Sequence, residues 1–178
     1  MDVYLLDQIF KGRILADHRI LDAGCGSGRN SIPLLESGFK VRCIDPRQQN
    51  FGDFQDCFIT SSIENYQTSQ LFNYIICNAV LHFSRSHEHF SKLFEKLISL
   101  LNAEGVLFIR MTSDIGITTH TLIQDGVYQL KDGSARYLIQ RGQIDALCMD
   151  YNLTLIEPVK TTLVEDLRAM TTIVLKKV

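Results

Sequence analysis

Three glycines at alternate positions, Gly24, Gly26 and Gly28, follow the run Ile20-Leu21-Asp22 and precede Arg29-Asn30 in the stretch ILDAGCGSGRN. Residues without a Cβ let the backbone approach a ligand closely, and N–H groups at the start of a following helix attract an anion. Asp45 lies 21 residues after Gly24, where a second strand would end and a carboxylate can accept hydrogen bonds from both ribose hydroxyls. Together they describe a nucleoside-type ligand carrying a negative group, with Asp45 disfavouring a ribose 2′-phosphate. The dinucleotide spacing G-x-G-x-x-G requires a third glycine where this chain has Arg29.

Other residues could act on a second molecule. His82, next to last in the apolar run FNYIICNAVLHF, could deprotonate an oxygen or nitrogen near neutral pH, although packing is the commoner use of such a histidine. His87 and His89 open a helix and are expected to face solvent, whereas His120 falls in an irregular stretch with a chance of meeting substrate. Arg110, Arg136, Arg141 and Arg168 could gather around an acidic acceptor, or stay solvated as scattered arginines usually do. Tyr128 and Tyr137 flank a possible hairpin and could wall an apolar substrate, or simply pack. The five cysteines, Cys25, Cys43, Cys57, Cys77 and Cys148, form no C-x-x-C pair, so neither a disulfide framework nor a metal site is expected.

These residues need a scaffold that brings strand ends together. DVYLLDQIF places Val3, Leu6 and Phe10 on one helical face, HRILDAG reads as a buried strand, and NSIPLLESGFK as a helix whose Pro33 must lie in its first turn. KVRCID and DCFITSSIEN follow as strands, with the link PRQQNFGDFQ too short for a confident helix. FNYIICNAVLHF suits a central strand, EHFSKLFEKLISLLN is a clean amphipathic helix, and VLFIRM is the next strand. After Met111 the chain loosens into a lid-like stretch over 112–140 with a hairpin near Lys131-Asp132-Gly133. A helix at QRGQIDALCMDY then leads to the strands LTLIEPVK and MTTIVLKK, whose short link permits only an antiparallel pair. Strands alternating with helices imply an α/β, doubly wound sheet.

In that order and spacing the chain resembles the class I S-adenosylmethionine-dependent methyltransferases. Asp22-x-Gly24-x-Gly26-x-Gly28 is similar to their first motif, CNAVLHF to their fourth, and LLNAEGVLFI to the segment between the following helix and strand. The Arg29-Asn30 ending resembles a variant seen in small-molecule members. The resemblance implies a mostly parallel seven-stranded sheet with its last strand antiparallel, a Rossmann-like methyltransferase fold, forming one domain over 1–178. It implies S-adenosylmethionine as cofactor and S-adenosylhomocysteine as product, with Asp22, Gly24, Cys25, Gly26, Gly28, Arg29, Asn30, Asp45, Pro46, Ser62, Ile63, Asn78 and Ala79 at the cofactor. Arg29 would pair with the methionine carboxylate or sit in solvent. The acceptor side, beyond the carboxyl ends of the strands, is expected to use Phe83, Arg110, Thr112, His120, Tyr128, Arg136 and Tyr137, with His82 as the candidate base. Positioning alone can supply much of the catalysis of methyl transfer, so that base is optional.

The implied activity is transfer of a methyl group to a small-molecule acceptor. Asn78-Ala79-Val80-Leu81 departs from the Asn-Pro-Pro-Tyr motif of enzymes that methylate amides and amines in DNA and proteins, and no Pro-Cys dipeptide is present for the usual cytosine C5 route. A formal net charge of −2 and the absence of long basic runs disfavour nucleic acid. No apolar run is long enough to span a membrane, and the expected location is cytoplasmic. Two other readings stay open: a non-catalytic module that binds the same cofactor, and a nicotinamide-dependent oxidoreductase.

Overall fold

The computed structural model describes residues 1–117 and 120–178. Its strands are β1 (Arg19–Ala23), β2 (Lys40–Asp45), β3 (Phe58–Thr60), β4 (Phe72–Asn78), β5 (Leu101–Ser113), β6 (Thr121–Gln124), β7 (Val127–Gln129), β8 (Ala135–Tyr137), β9 (Leu153–Leu155), β10 (Lys160–Val164) and β11 (Arg168–Lys177). The α-helices are α1 (Val3–Phe10), α2 (Ser31–Glu36), α3 (His87–Ser99) and α4 (Arg141–Asp150), and a 3-10 helix fills Gly52–Cys57 in the link before β3.

The main sheet runs β10-β11-β5-β4-β1-β2-β3, with β9 also paired to β11. Strands β3, β2, β1, β4 and β5 are parallel, and β11 is antiparallel to β5, as expected for the last strand. Eight strands stand where seven are expected: LTLIEPVK forms only the short β9 before Pro158, which has no N–H to give to a ladder, and Lys160–Val164, running into the expected link, forms an additional strand, β10. Both β9 and β10 pair antiparallel with β11, along successive stretches of it.

Alternate residues of each central strand enter opposite cores, as a sheet covered on both faces requires. Leu21, Ala23, Ile75, Cys77, Leu107 and Ile109 pack with α3 and α4 residues, whereas Ile20, Tyr74, Ile76 and Phe108 pack with Leu5 of α1 and Leu34 of α2. Helix α3 buries Phe90, Leu93, Phe94 and Leu97 and is capped by Ser86, whose hydroxyl accepts from the His89 N–H at 3.0 Å. Helix α1 forms, but rotated from the expected face. Val3 and Phe10 are 68% and 81% exposed, while Leu5 and Gln8 are buried, because Gln8 is held by Arg13 and Glu157.

The stretch expected to be a lid contains a second small sheet, β6-β7-β8. Its β7–β8 hairpin closes through Leu130 to Ser134, at the expected Lys131-Asp132-Gly133 turn. Thr118 and Thr119 of that stretch lie outside the described residues.

Candidate functional site

Between β1 and Asn30 the chain makes the turn that the glycines allow. Gly24 and Gly28 adopt φ of +82° and +80°, a region that L side chains avoid. A Cβ on Gly24 would meet Val80 Cγ2 at 2.3 Å, and one on Gly28 would meet Ile32 Cδ1 at 2.8 Å, so these two glycines admit protein packing. Gly26 differs: a Cβ there would find nothing within 4 Å, leaving its backbone open to a ligand.

Asp45, at the end of β2, is 5% exposed. Its Oδ2 accepts the Gly26 N–H at 3.0 Å and its Oδ1 the Arg47 N–H at 2.9 Å, tying the loop to the second strand. Beneath the loop, Asp22 accepts from the Ser31 hydroxyl. Burial raises its carboxyl to about 6, against the opposing effect of that hydrogen bond.

These elements open onto a cavity of about 700 Å³ at the carboxyl ends of β1, β2 and β4. Gly24, Gly26, Arg29, Asp45, Ser62 and Asn78 are among its lining residues. It lies at the point where strand order reverses beside β1, the usual ligand crevice of such sheets. On its far side His89 Nε2 and Glu64 Oε1 are 2.9 Å apart, and His89 Nδ1 accepts the Arg85 N–H. The proton of the neutral ring is thereby assigned to Nε2, facing the carboxylate.

Past β4 the chain kinks at Ala79, whose φ is +61°, a costly conformation for a residue with a Cβ. Its N–H is held by Arg110 O at 2.7 Å. Asn78 and Ala79 line the first cavity and also a second, of about 370 Å³, together with Arg29. His82, Arg110, Thr112, Arg136 and Arg168 belong to the second. His82 is 7% exposed, and burial followed by the charges of Arg136 and Arg168 lowers its pKa to about 4. At neutral pH it is an uncharged imidazole.

A family model described as a methyltransferase domain matches residues 5–157. The chain belongs to the class I S-adenosylmethionine-dependent methyltransferases. The chain is 31% identical over 118 residues to trans-aconitate 2-methyltransferase of Escherichia coli (strain K12 / DH10B), an alignment covering 62% of this chain and 45% of that enzyme. The matched part thus spans less than half the length of that relative. Among solved structures, 1,6-didemethyltoxoflavin-N1-methyltransferase of Burkholderia thailandensis, with bound 1,6-didemethyltoxoflavin and S-adenosylhomocysteine, has a TM-score of 0.74 at 16% identity, covering 97% of this chain and 75% of its own. Magnesium protoporphyrin IX methyltransferase of Synechocystis PCC 6803, with bound S-adenosylmethionine, has a TM-score of 0.71 at 18% identity, covering 99% and 77%. At these identities the likeness is one of fold.

Most of the residues expected at a cofactor line the first cavity: Gly24, Cys25, Gly26, Arg29, Asn30, Asp45, Pro46, Ser62, Ile63, Asn78 and Ala79. Asp22 and Gly28 do not, since one supports the loop from below and the other packs on Ile32. Phe83 lines this cavity too, although it was expected on the acceptor side. Arg110, Thr112, Arg136 and His82 meet in the second cavity, whereas His120 and Tyr128 line neither. Tyr137 is also absent from both: it is fully buried, stacked on Phe90 with centroids 4.8 Å apart, and bonded to His87 Nδ1 at 2.8 Å. Burial pushes its hydroxyl up to about 12. Arg141 faces Asp145 on α4, outside both cavities.

Glu64, His89 and Asp2 are among the lining residues that the sequence does not single out. Glu64 adjoins the expected Ser62-Ile63 pair and was within reach of that pattern. His89 was expected in solvent, yet its side chain is 17% exposed, held between the Arg85 N–H and Glu64 at the cavity's edge. Asp2 caps α1 through the Tyr4 N–H and also lines the second cavity, a double role that depends on where the folded chain places the start of α1.

Proposed function

We propose that this chain binds S-adenosylmethionine in the first cavity and positions a small-molecule acceptor in the second for methyl transfer. The observation that carries this reading is the shared wall of Arg29, Asn78 and Ala79, through which the two cavities adjoin. A donor and an acceptor held on either side of it could meet in line, the geometry that displacement at carbon needs.

The residues fit the cofactor. Asp45 offers carboxylate oxygens for the ribose hydroxyls, the open Gly26 backbone leaves room for the amino-acid moiety, and Arg29 supplies a cation for its carboxylate. Asn78 Nδ2 is buried with no hydrogen-bond partner among the described residues, a donor awaiting an acceptor. Bound there, S-adenosylmethionine supplies an electrophilic methyl group on a sulfonium. Ser62 and Ile63 flank the adenine in this reading, and the Glu64–His89 pair borders that end of the cavity. The strained Ala79 backbone shapes the edge at which the two cavities meet. Neutral His82 orients the acceptor, and the described residues of the 112–140 stretch cover it as a lid that contributes Leu130, Ser134 and Arg136.

Isothermal titration of the purified chain with S-adenosylhomocysteine tests the cofactor half, and transfer of labelled methyl to a metabolite panel tests the whole. Saturable binding with turnover is expected. Absence of binding at millimolar ligand would remove the proposal, and binding without turnover on any acceptor would leave the chain a cofactor-binding module.

A further inference from the structure

Four guanidinium groups wall the second cavity, those of Arg29, Arg110, Arg136 and Arg168, against one lining carboxylate, Asp2. Their partners separate them. Arg110 is committed: its Nε lies 3.2 Å from Asp2 Oδ2, it donates to Thr172 Oγ1 at 3.1 Å, and it covers the Tyr4 ring at 4.5 Å. Arg29 faces the cofactor side as well. Arg168 donates to Asp132 at 2.9 Å through one nitrogen, which leaves further donors of its fork for another acceptor. Arg136 lies over the Phe83 ring at 4.7 Å and donates to Ala135 O at 2.7 Å, and among the described residues it forms no ion pair with a carboxylate.

Two further observations point to a ligand. Asn78 Nδ2 and His82 Nδ1 are buried on the same wall without hydrogen-bond partners among the described residues, and such atoms ordinarily find one. A volume of about 370 Å³ admits a small organic molecule and no folded macromolecule. Arg136 and Arg168 come from distant parts of the chain, on β8 and at the first residue of β11, yet the fold delivers both to one cavity.

We propose that the acceptor is anchored by a carboxylate group seated between Arg136 and Arg168. The inference rests on the methyltransferase reading and names the substrate class for it. The planar fork of a guanidinium matches the two oxygens of a carboxylate, and Arg110, neutralised by Asp2, forms the floor beside them. A neutral His82 adds no charge and offers its unpartnered nitrogen to the acceptor's polar groups.

Calorimetric titration of wild-type protein with succinate and with trans-aconitate, with and without saturating S-adenosylhomocysteine, tests the seat. Inorganic phosphate and the trimethyl ester of trans-aconitate serve as the other arms. At least one carboxylate probe is expected to bind at millimolar concentration or tighter, the ester is not, and Arg136→Gln and Arg168→Gln should each weaken binding about tenfold, the scale of one lost charged hydrogen-bonding contact. Arg141→Gln, outside the cavity, should change nothing, and all three variants should keep their S-adenosylhomocysteine affinity. The proposal is overturned if neither carboxylate binds, if phosphate or the ester binds in their place, or if the arginine variants leave carboxylate affinity intact. Failure of S-adenosylhomocysteine to bind would strike the methyltransferase reading instead, while the titration without it still judges the seat.

Discussion

The first cavity is built at strand ends that follow one another closely along the chain, after Ala23, Asp45, Thr60 and Asn78, whereas the second gathers Asp2, Arg110, Arg136 and Arg168 from four distant places. One is held by backbone: turns, N–H groups and missing Cβ atoms fix its shape. The other is held by long charged side chains whose positions depend on the β6-β7-β8 sheet and the start of β11. A ligand common to many proteins can be met by backbone geometry, while choice of acceptor falls to side chains that can be exchanged without disturbing the sheet.

The largest effect should come from breaking the backbone side of this contrast. In Gly24→Ala the new Cβ would overlap Val80 in a left-handed conformation, and we expect a loss of about 3 kcal/mol or more in stability from strain and overpacking together. Urea denaturation should show it, with S-adenosylhomocysteine binding lost. Gly26→Ala has open space around its Cβ and should retain more stability while still losing cofactor affinity. Equal destabilisation by the two substitutions would mean that the loop serves packing alone.

Next in size is a pH effect on the side-chain cavity. His82 falls from the usual 6.5 to about 4 on folding. Between those values the unfolded chain holds a proton that the folded chain does not, so stability is intact above pH 6.5 and is lost as pH falls toward 4, by at most about 3 kcal/mol. Asp22 runs the other way. Its carboxyl rises from 3.8 to about 6, so its contribution is present below pH 3.8 and is lost as pH rises through 6. The two slopes oppose each other. Relative to wild type, His82→Asn should therefore gain stability on acidification from pH 6.5 to 4, and Asp22→Asn should lose it over roughly the same window. Parallel stability curves for the three proteins would contradict both environments.

Asp45→Ala returns to the first cavity with a smaller expected change, cofactor affinity weaker by about 2 kcal/mol through lost hydrogen bonds to a charged group. The Gly26 N–H also loses its acceptor, so calorimetry should be paired with a melting curve. Unchanged affinity in the folded variant would refute the ribose assignment.

The same contrast explains what could be read from residues alone. Gly24, Gly26 and Asp45 were legible because strand, turn and strand end recur at short spacings set by backbone geometry, while the Asn78-Ala79 end of β4 came only with the family resemblance. The parallel sheet and its reversed last strand followed from alternation and a short final link. Tyr137 was misplaced because a tyrosine beside a hairpin looks the same in sequence whether it faces a cavity or Phe90. The exposed stripe on α1 misled because Gln8, a polar residue, is buried through partners at Arg13 and Glu157. Of the four arginines that could have clustered, three do so and Arg141 does not, a division set by tertiary packing that no local pattern records.

The smallest effect tests how independent the cavities are. Asp2→Asn keeps an oxygen to cap the Tyr4 N–H while removing the charge that neutralises Arg110. We expect about 1 kcal/mol of lost stability, the scale of one charged hydrogen bond partly retained by the amide. Arg110 would then present an uncompensated guanidinium to the second cavity, so carboxylate affinity should rise while S-adenosylhomocysteine affinity stays where it was. Titration of the variant with trans-aconitate and with S-adenosylhomocysteine separates the two. Tighter carboxylate binding alone places Asp2 as the local competitor for the arginine wall; matched changes in both ligands would show that the shared wall at Asn78 and Ala79 couples the cavities.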